Sequence, residues 1–246
     1  MLLAYTLAML IGLALGLLGG GGSIITVPVL VYAGKFDAQT AISMALAIVG
    51  VTSVIGAVVK ARNGLVHRKA AFLFSVTGIA GAYLGAQLTH LVPPTILLSL
   101  FATLMLVVAI GMLVKPNPHE AETSAQCRPW RCASAGMGVG AMTGFLGVGG
   151  GFLIVPAMVH FGKVPLKKAI GTSLVVIAMN SFAGLAGQLR HCAMNWGTTG
   201  LFSVMALIGM AAGVVLTPKV PRERLSQGFA WFVIAVGVFV LVKASF

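Results

Sequence analysis

Acidic side chains are almost missing from this chain: its 246 residues hold 4 Asp and Glu against 16 Lys and Arg, and charged residues of both signs make only 8%. With 59% hydrophobic residues, too little polar surface remains to solvate a globular protein of this length, so most of the surface must meet lipid. All four acids, Asp37, Glu120, Glu122 and Glu223, fall outside the long apolar runs, which gives no support to proton coupling through a buried carboxylate. Cysteine is equally sparse. Cys127, Cys132 and Cys192 are odd in number and lack the spacing of a metal site or disulfide framework, so they read as free thiols, with a pair between Cys127 and Cys132 as the alternative. No apolar run holds a histidine away from its ends, and no Gly-Lys-Ser or Gly-Lys-Thr ends a glycine-rich stretch. Serine hydrolysis inside the membrane and ATP use are therefore not indicated, and the expectation is a protein that is not an enzyme and holds no cofactor and no metal.

The net charge of +12 would suggest nucleic acid in a soluble protein. Here the bases sit in short loops between apolar runs, where membrane orientation and anionic headgroups explain them, so the expected partners are a lipid bilayer and no nucleic acid. The apolar N-terminus leads into further spans without a small-residue cleavage site, and reads as a first membrane segment rather than a signal peptide.

The chain is also duplicated. Laid over itself at an offset of 128, the 106 positions from Leu10 to Lys115 match Gly138 to Lys243 with 34 identities and no gap. Apolar runs fall at about 2–33, 41–59, 70–92 and 95–114, then at 134–161, 169–189, 197–217 and 225–242. A helix needs about 20 residues to cross the hydrocarbon, and six of these runs fit. The first run of each half is longer and carries consecutive glycines near its middle, followed by Pro28 or Pro156. Glycine costs up to ~1 kcal/mol per helix position and proline ~3, so both runs are expected to break, with Pro28 and Pro156 as structural breaks, into a broken helix or re-entrant hairpin.

Loop charge chooses between these shapes. In the first half the bases Lys60, Arg62, Arg68 and Lys69 follow the second run; in the second half Lys163, Lys167 and Lys168 follow the first run, and Lys219, Arg222 and Arg224 the third. By the positive-inside rule equivalent loops then lie on opposite faces. That inversion needs an odd number of crossings per half, which a hairpin plus three spans supplies. The expected architecture is an all-α polytopic membrane protein with two inverted repeats, 1–115 and 133–246, joined by a cytoplasmic linker, 116–132. Eight straight spans with parallel repeats is the competing arrangement.

Leu18-Gly-Gly-Gly-Gly-Ser-Ile-Ile-Thr-Val-Pro28 overlies Leu146-Gly-Val-Gly-Gly-Gly-Phe-Leu-Ile-Val-Pro156, and the second copy continues into Ala169-Ile-Gly-Thr-Ser-Leu174. These motifs resemble the TauE/SafE family of sulfite and sulfoacetate exporters, also called the toluene-sulfonate uptake permease family. The resemblance implies a plasma-membrane carrier of bacteria or archaea for small anions, often sulfur oxyanions or organosulfonates. The first half departs from it, with Ser43-Met-Ala-Leu46 opposite Gly171-Thr-Ser-Leu174.

Half-helix N-termini give an anion free N–H groups without a buried cation, and glycine lets it approach the main chain. Gly20, Gly21, Gly22 and Ser23 in one half, with Gly149, Gly150 and Gly151 in the other, are expected to present such a surface and to meet near the midplane. Close helix crossing is the alternative role for these glycines. Thr172, Ser173, Asn180 and Ser181 share one run, and Ser43, Thr52 and Ser53 are their first-half set. They are candidate ligands, or else they bond their own helix carbonyls. Arg62 and Arg190, with Gln188, are candidates for a vestibule, or for interfacial anchoring by snorkelling arginines. The reading is a secondary transporter of a small sulfur-containing or organic anion by alternating access. A passive anion channel and a non-transporting membrane assembly factor are the alternatives; a homo-oligomer is compatible with the sequence.

Overall fold

The computed structural model describes residues 2–18, 22–114, 129–146, 150–162, 164–189, 194–216 and 222–245. The described residues form helices and no strand: α1 (Leu2–Leu18), α2 (Ser23–Pro28), α3 (Ala38–Arg62), α4 (Arg68–Leu88), α5 (Pro94–Val114), α6 (Pro129–Leu146), α7 (Gly151–His160), α8 (Leu166–Gln188), α9 (Trp196–Leu216) and α10 (Arg222–Ser245). Four of them, over 38–62, 68–91, 168–188 and 196–213, are long and apolar enough to cross a membrane. Their outward faces are apolar too: Val51, Val54, Ile55 and Val58 on α3 and Leu201, Val204 and Ile208 on α9 are exposed. Exposed apolar side chains recurring at three- and four-residue spacing form a lipid-facing stripe.

Local chemistry sets the helix ends. The Asp37 carboxylate caps α3 by accepting from the Thr40 N–H at 3.0 Å, and His67 Nδ1 accepts from the Ala70 N–H at 3.2 Å to cap α4. Pro94 and Pro129 open α5 and α6, at the position where a missing N–H costs nothing.

Both long first runs break, and each folds back on itself. A methyl group at Gly22 would run into the Ile11 carbonyl and the Leu15 side chain, and one at Gly150 would run into Thr143. Residues 15 and 22 of a continuous helix would be about 10 Å apart, so the contact requires a reversal. Pro28 coincides with a switch from α2 to a π-helical turn, Val29–Ala33. Pro156 does not break its helix, because α7 runs through it from Gly151 to His160. A proline removes a single N–H there, a loss that packed membrane helices tolerate.

Packing brings the halves together by exchange. α1 lies against α9 and α6 against α4, while α3 packs on α8 and α5 on α10. Gly140 lies against Gly78 and Gly144 against Ala82; 128 residues away from the first pair, Gly12 lies against Ala206. Such contacts between small residues let helix backbones approach closely. Their order along the chain fixes direction. Gly136 meets Phe74, Gly140 meets Gly78 and Gly144 meets Ala82, so α4 and α6 run parallel. Leu46 meets Gly184, Gly50 meets Ser181 and Gly56 meets Leu174, so α3 and α8 run antiparallel.

Cys132, expected as a free thiol, is disulfide-bonded. Cys127 and Cys192 lie outside the described residues.

Candidate functional site

Of the glycine-turn residues, Gly20, Gly21 and Gly149 lie outside the described residues; Gly22 and Gly150 flank the turns, and Ser23 and Gly151 begin the return helices α2 and α7. Gly150 adopts φ 74°, a left-handed conformation that favours glycine. α1 has 17 residues and α6 has 18, each about 26 Å long at 1.5 Å per residue, against ~30 Å of hydrocarbon. Each incoming helix is thus nearly long enough to cross the hydrocarbon by itself. Gly85, near the end of α4, lies against Ala141 and Phe145 at the end of α6. The return helices α2 and α7 pack on each other.

The predicted hydroxyl residues separate into two groups. In the first, the proton is committed to the residue's own helix: Ser43 Oγ donates to the Gln39 carbonyl at 3.1 Å, Thr52 Oγ1 to Ile48 at 2.8 Å, Ser173 Oγ to Ile170 at 2.9 Å and Thr172 Oγ1 to Lys168 at 2.6 Å. Thr172 Oγ1 also accepts from the His67 N–H at 2.8 Å. In the second, buried atoms have no partner: Ser53 Oγ, Ser181 Oγ, Asn180 Oδ1, and both amide atoms of Gln188. An unmade buried hydrogen bond costs about 1–3 kcal/mol, so such groups call for an explanation.

Ser75 on α4 belongs to this second group and was not expected. Its hydroxyl is buried and unpartnered. The available signal was the tetrapeptide Leu73-Phe-Ser-Val76, repeated as Leu201-Phe-Ser-Val204 at the offset of 128.

α8 packs on both α3 and α4, and the register of those contacts puts Ser53, Ser75, Asn180 and Ser181 in one layer, within about one helical turn of each other along the three helices. The Asn180 carboxamide lies over Gly78, where a methyl group would meet both its oxygen and its nitrogen, and Ser181 lies beside Gly50. Ser75 is eleven residues before Ala86, which abuts Gly187 of α8; three helical turns put Ser75 on the same face. Ser53 is one turn from Gly50.

Of the three vestibule candidates, Arg62 and Gln188 are described. Arg62 is exposed in the last turn of α3, and Arg190 lies outside the described residues. Gln188 is fully buried at the end of α8, not lining an open mouth. Among the described residues no group of histidine, cysteine and acidic side chains could hold a metal ion.

Residues 4–240 match the protein family described as sulfite exporter TauE/SafE. A "Probable membrane transporter protein" of Xylella fastidiosa strain Temecula1 is 34% identical over 243 residues, covering 96% of this chain and 92% of the relative. The probable membrane transporter protein YdhB of Bacillus subtilis is 23% identical over 222 residues, covering 89% and 91%. The archaeal probable membrane transporter protein MJ0441 of Methanocaldococcus jannaschii is 25% identical over 229 residues, covering 89% and 85%. No solved structure matches the chain.

Proposed function

This chain belongs to the TauE/SafE sulfite exporter family, and from that premise we propose that it is a secondary transporter of small sulfur-containing or organic anions, such as sulfite or sulfoacetate. The protein is a multi-pass carrier of a prokaryotic plasma membrane and carries out no chemistry on its cargo. The observation that carries the reading is the layer of buried, unpartnered hydroxyl and amide groups, Ser53, Ser75, Asn180 and Ser181, on α3, α4 and α8. Neutral donors replace part of an anion's hydration shell, and they release it more readily than a buried cation would.

Alternating access is supported by the direction of the helices. α3 and α8 hold equivalent places in the two halves and run antiparallel, and the exchanged pairs α1 with α9 and α6 with α4 repeat the same contacts. Two halves related in this way reach the substrate layer from opposite sides of the membrane, each with a hairpin and three spans. The exchange of one half's packing for the other's opens the layer to each compartment in turn.

Counterflow in proteoliposomes tests the reading. A carrier takes up labelled sulfite faster when unlabelled sulfite is loaded on the far side. Flux without such acceleration would make the protein a channel, and absence of flux for every small anion would remove the transport assignment.

A further inference from the structure

The duplication supplies an internal comparison for every polar residue. Ser75, Asn180 and Ser181 have as their counterparts, at the offset of 128, Ser203, Thr52 and Ser53. In the second set the protons are spent: Ser203 Oγ donates to the Thr199 carbonyl at 2.8 Å and Thr52 Oγ1 to Ile48 at 2.8 Å, leaving only Ser53 open. All three members of the first set have an unpartnered atom. Two of the three equivalent pairs thus differ in one respect, and three of the four open groups are on α4 and α8.

We infer that Ser53, Ser75, Asn180 and Ser181 form one lopsided binding site, and that it takes an oxyanion in its singly protonated, singly charged form. The inference rests on the transport reading above and narrows it to a protonation state. Two observations lead there. The carboxamide of Asn180 carries an acceptor as well as a donor whichever way round it lies, and a fully deprotonated anion offers an acceptor nothing. An anion bearing one O–H does: its proton meets the amide oxygen while its remaining oxygens accept from the serine hydroxyls.

Charge points the same way. The bases nearest the layer are Lys60 and Arg62 in the last turn of α3, Arg68 and Lys69 in the first turn of α4, and Lys167 and Lys168 in the first turn of α8. Lys69 is six residues from Ser75 and Lys60 seven from Ser53, each about 10 Å along its helix. Tyr83 on α4 is eight residues from Ser75, Arg131 is at the start of α6, and α9 holds no charged residue. A dianion would bring two charges into a layer without a cation, at a far larger desolvation cost than a monoanion. Sulfite fits this requirement because its second ionisation falls close to neutral pH.

Purified full-length protein titrated with sulfite and with methanesulfonate, a monoanion without an O–H, separates the possibilities. Binding is read from the ligand-dependent shift in Tm. Sulfite affinity is expected to fall about tenfold for each pH unit above the second ionisation, as the protonated form is depleted, while methanesulfonate affinity stays level. Ser75→Ala is expected to weaken sulfite binding roughly five- to tenfold, and Ser203→Ala, its counterpart with a committed proton, to stay within about twofold of the unaltered protein. Sulfite affinity that holds level or rises with pH would overturn the protonation state. Equal effects of the two serine substitutions would overturn the lopsided site. If no oxyanion bound at any pH, the transport reading would fall together with this inference.

Discussion

The backbone N–H of His67 donates to the Thr172 hydroxyl at 2.8 Å, tying the loop after α3 to the second turn of α8. These helices are equivalents in the duplicated sequence, so the end of one lies beside the start of the other. Parallel repeats would put those ends on opposite faces of the membrane. Cysteines introduced near Arg68 and near Lys168 are expected to label from the cytoplasm, and ones near Thr40 and near His191 from outside. Labelling of positions 40 and 168 from one side would return the eight straight spans.

The same bond has a measurable worth. Thr172→Val removes it and leaves the His67 N–H in a partly buried loop, with an expected loss of about 1–2 kcal/mol of stability. Ser173→Ala is expected to change stability and sulfite binding by less than about 0.5 kcal/mol, because its proton is already held by the Ile170 carbonyl. Thermal melts and binding isotherms of both variants check this. A large binding loss in Ser173→Ala alone would move the site about two helical turns along α8, towards its N-terminus.

Gly150 combines φ 74° with a close approach to Thr143. Gly150→Leu should abolish sulfite flux, and the left-handed strain alone costs about 1–2 kcal/mol. Gly138 on α6 has open space around it, so Gly138→Ala should gain up to ~1 kcal/mol from helix propensity and leave flux unchanged. Flux at the unaltered rate in Gly150→Leu would show that the turn is only a packing device.

Gln188 is fully buried with neither amide atom partnered. Gln188→Met keeps the volume and removes the unmet bonds, so Tm should rise, by an amount corresponding to about 1–3 kcal/mol. A cost retained at a buried position is commonly tied to function, and transport is expected to slow. Should Tm fall in Gln188→Met, the amide has a partner in the resting protein and its role is structural.

Arg62 is exposed in the last turn of α3. Arg62→Gln is expected to lower the initial uptake rate at low ionic strength and to flatten its salt dependence, leaving the dissociation constant within about twofold, since an exposed charge steers more than it holds. Elimination of equilibrium binding would put the anion on the arginine.

Much of the architecture is readable in the residues themselves. Consecutive glycines and a following proline are incompatible with a straight helix, and that locates the breaks near 19–22 and 147–150. Their depth is another matter: it depends on the length of α1 and α6 and on which helix each lies against. The site divides in the same way. Ser173 and Ser181 are alike in sequence, both serines on the apolar run of α8, yet one bonds its own helix and the other does not. That difference comes from rotamer and neighbour, which no spacing encodes. Ser75 was detectable because its tetrapeptide recurs, but the copy at Ser203 has its proton committed, so repetition by itself gives no role. The charge pattern pointed to inversion, and the order of contacts between α3 and α8 supports it.

The exchange of partners between the halves bears on how the protein is made. When ribosomes have released only the first half, the glycine faces of α1 and α4 are without the helices that cover them, since Ala206 and Gly209 belong to α9 and Gly136, Gly140 and Gly144 to α6. Folding of the early segment is therefore suspended in the bilayer until synthesis is almost complete. During that interval the uncovered faces are open to the matching helices of a neighbouring nascent copy. Severing the chain between the halves leaves two fragments that must be produced together in one membrane, each serving as the other's template.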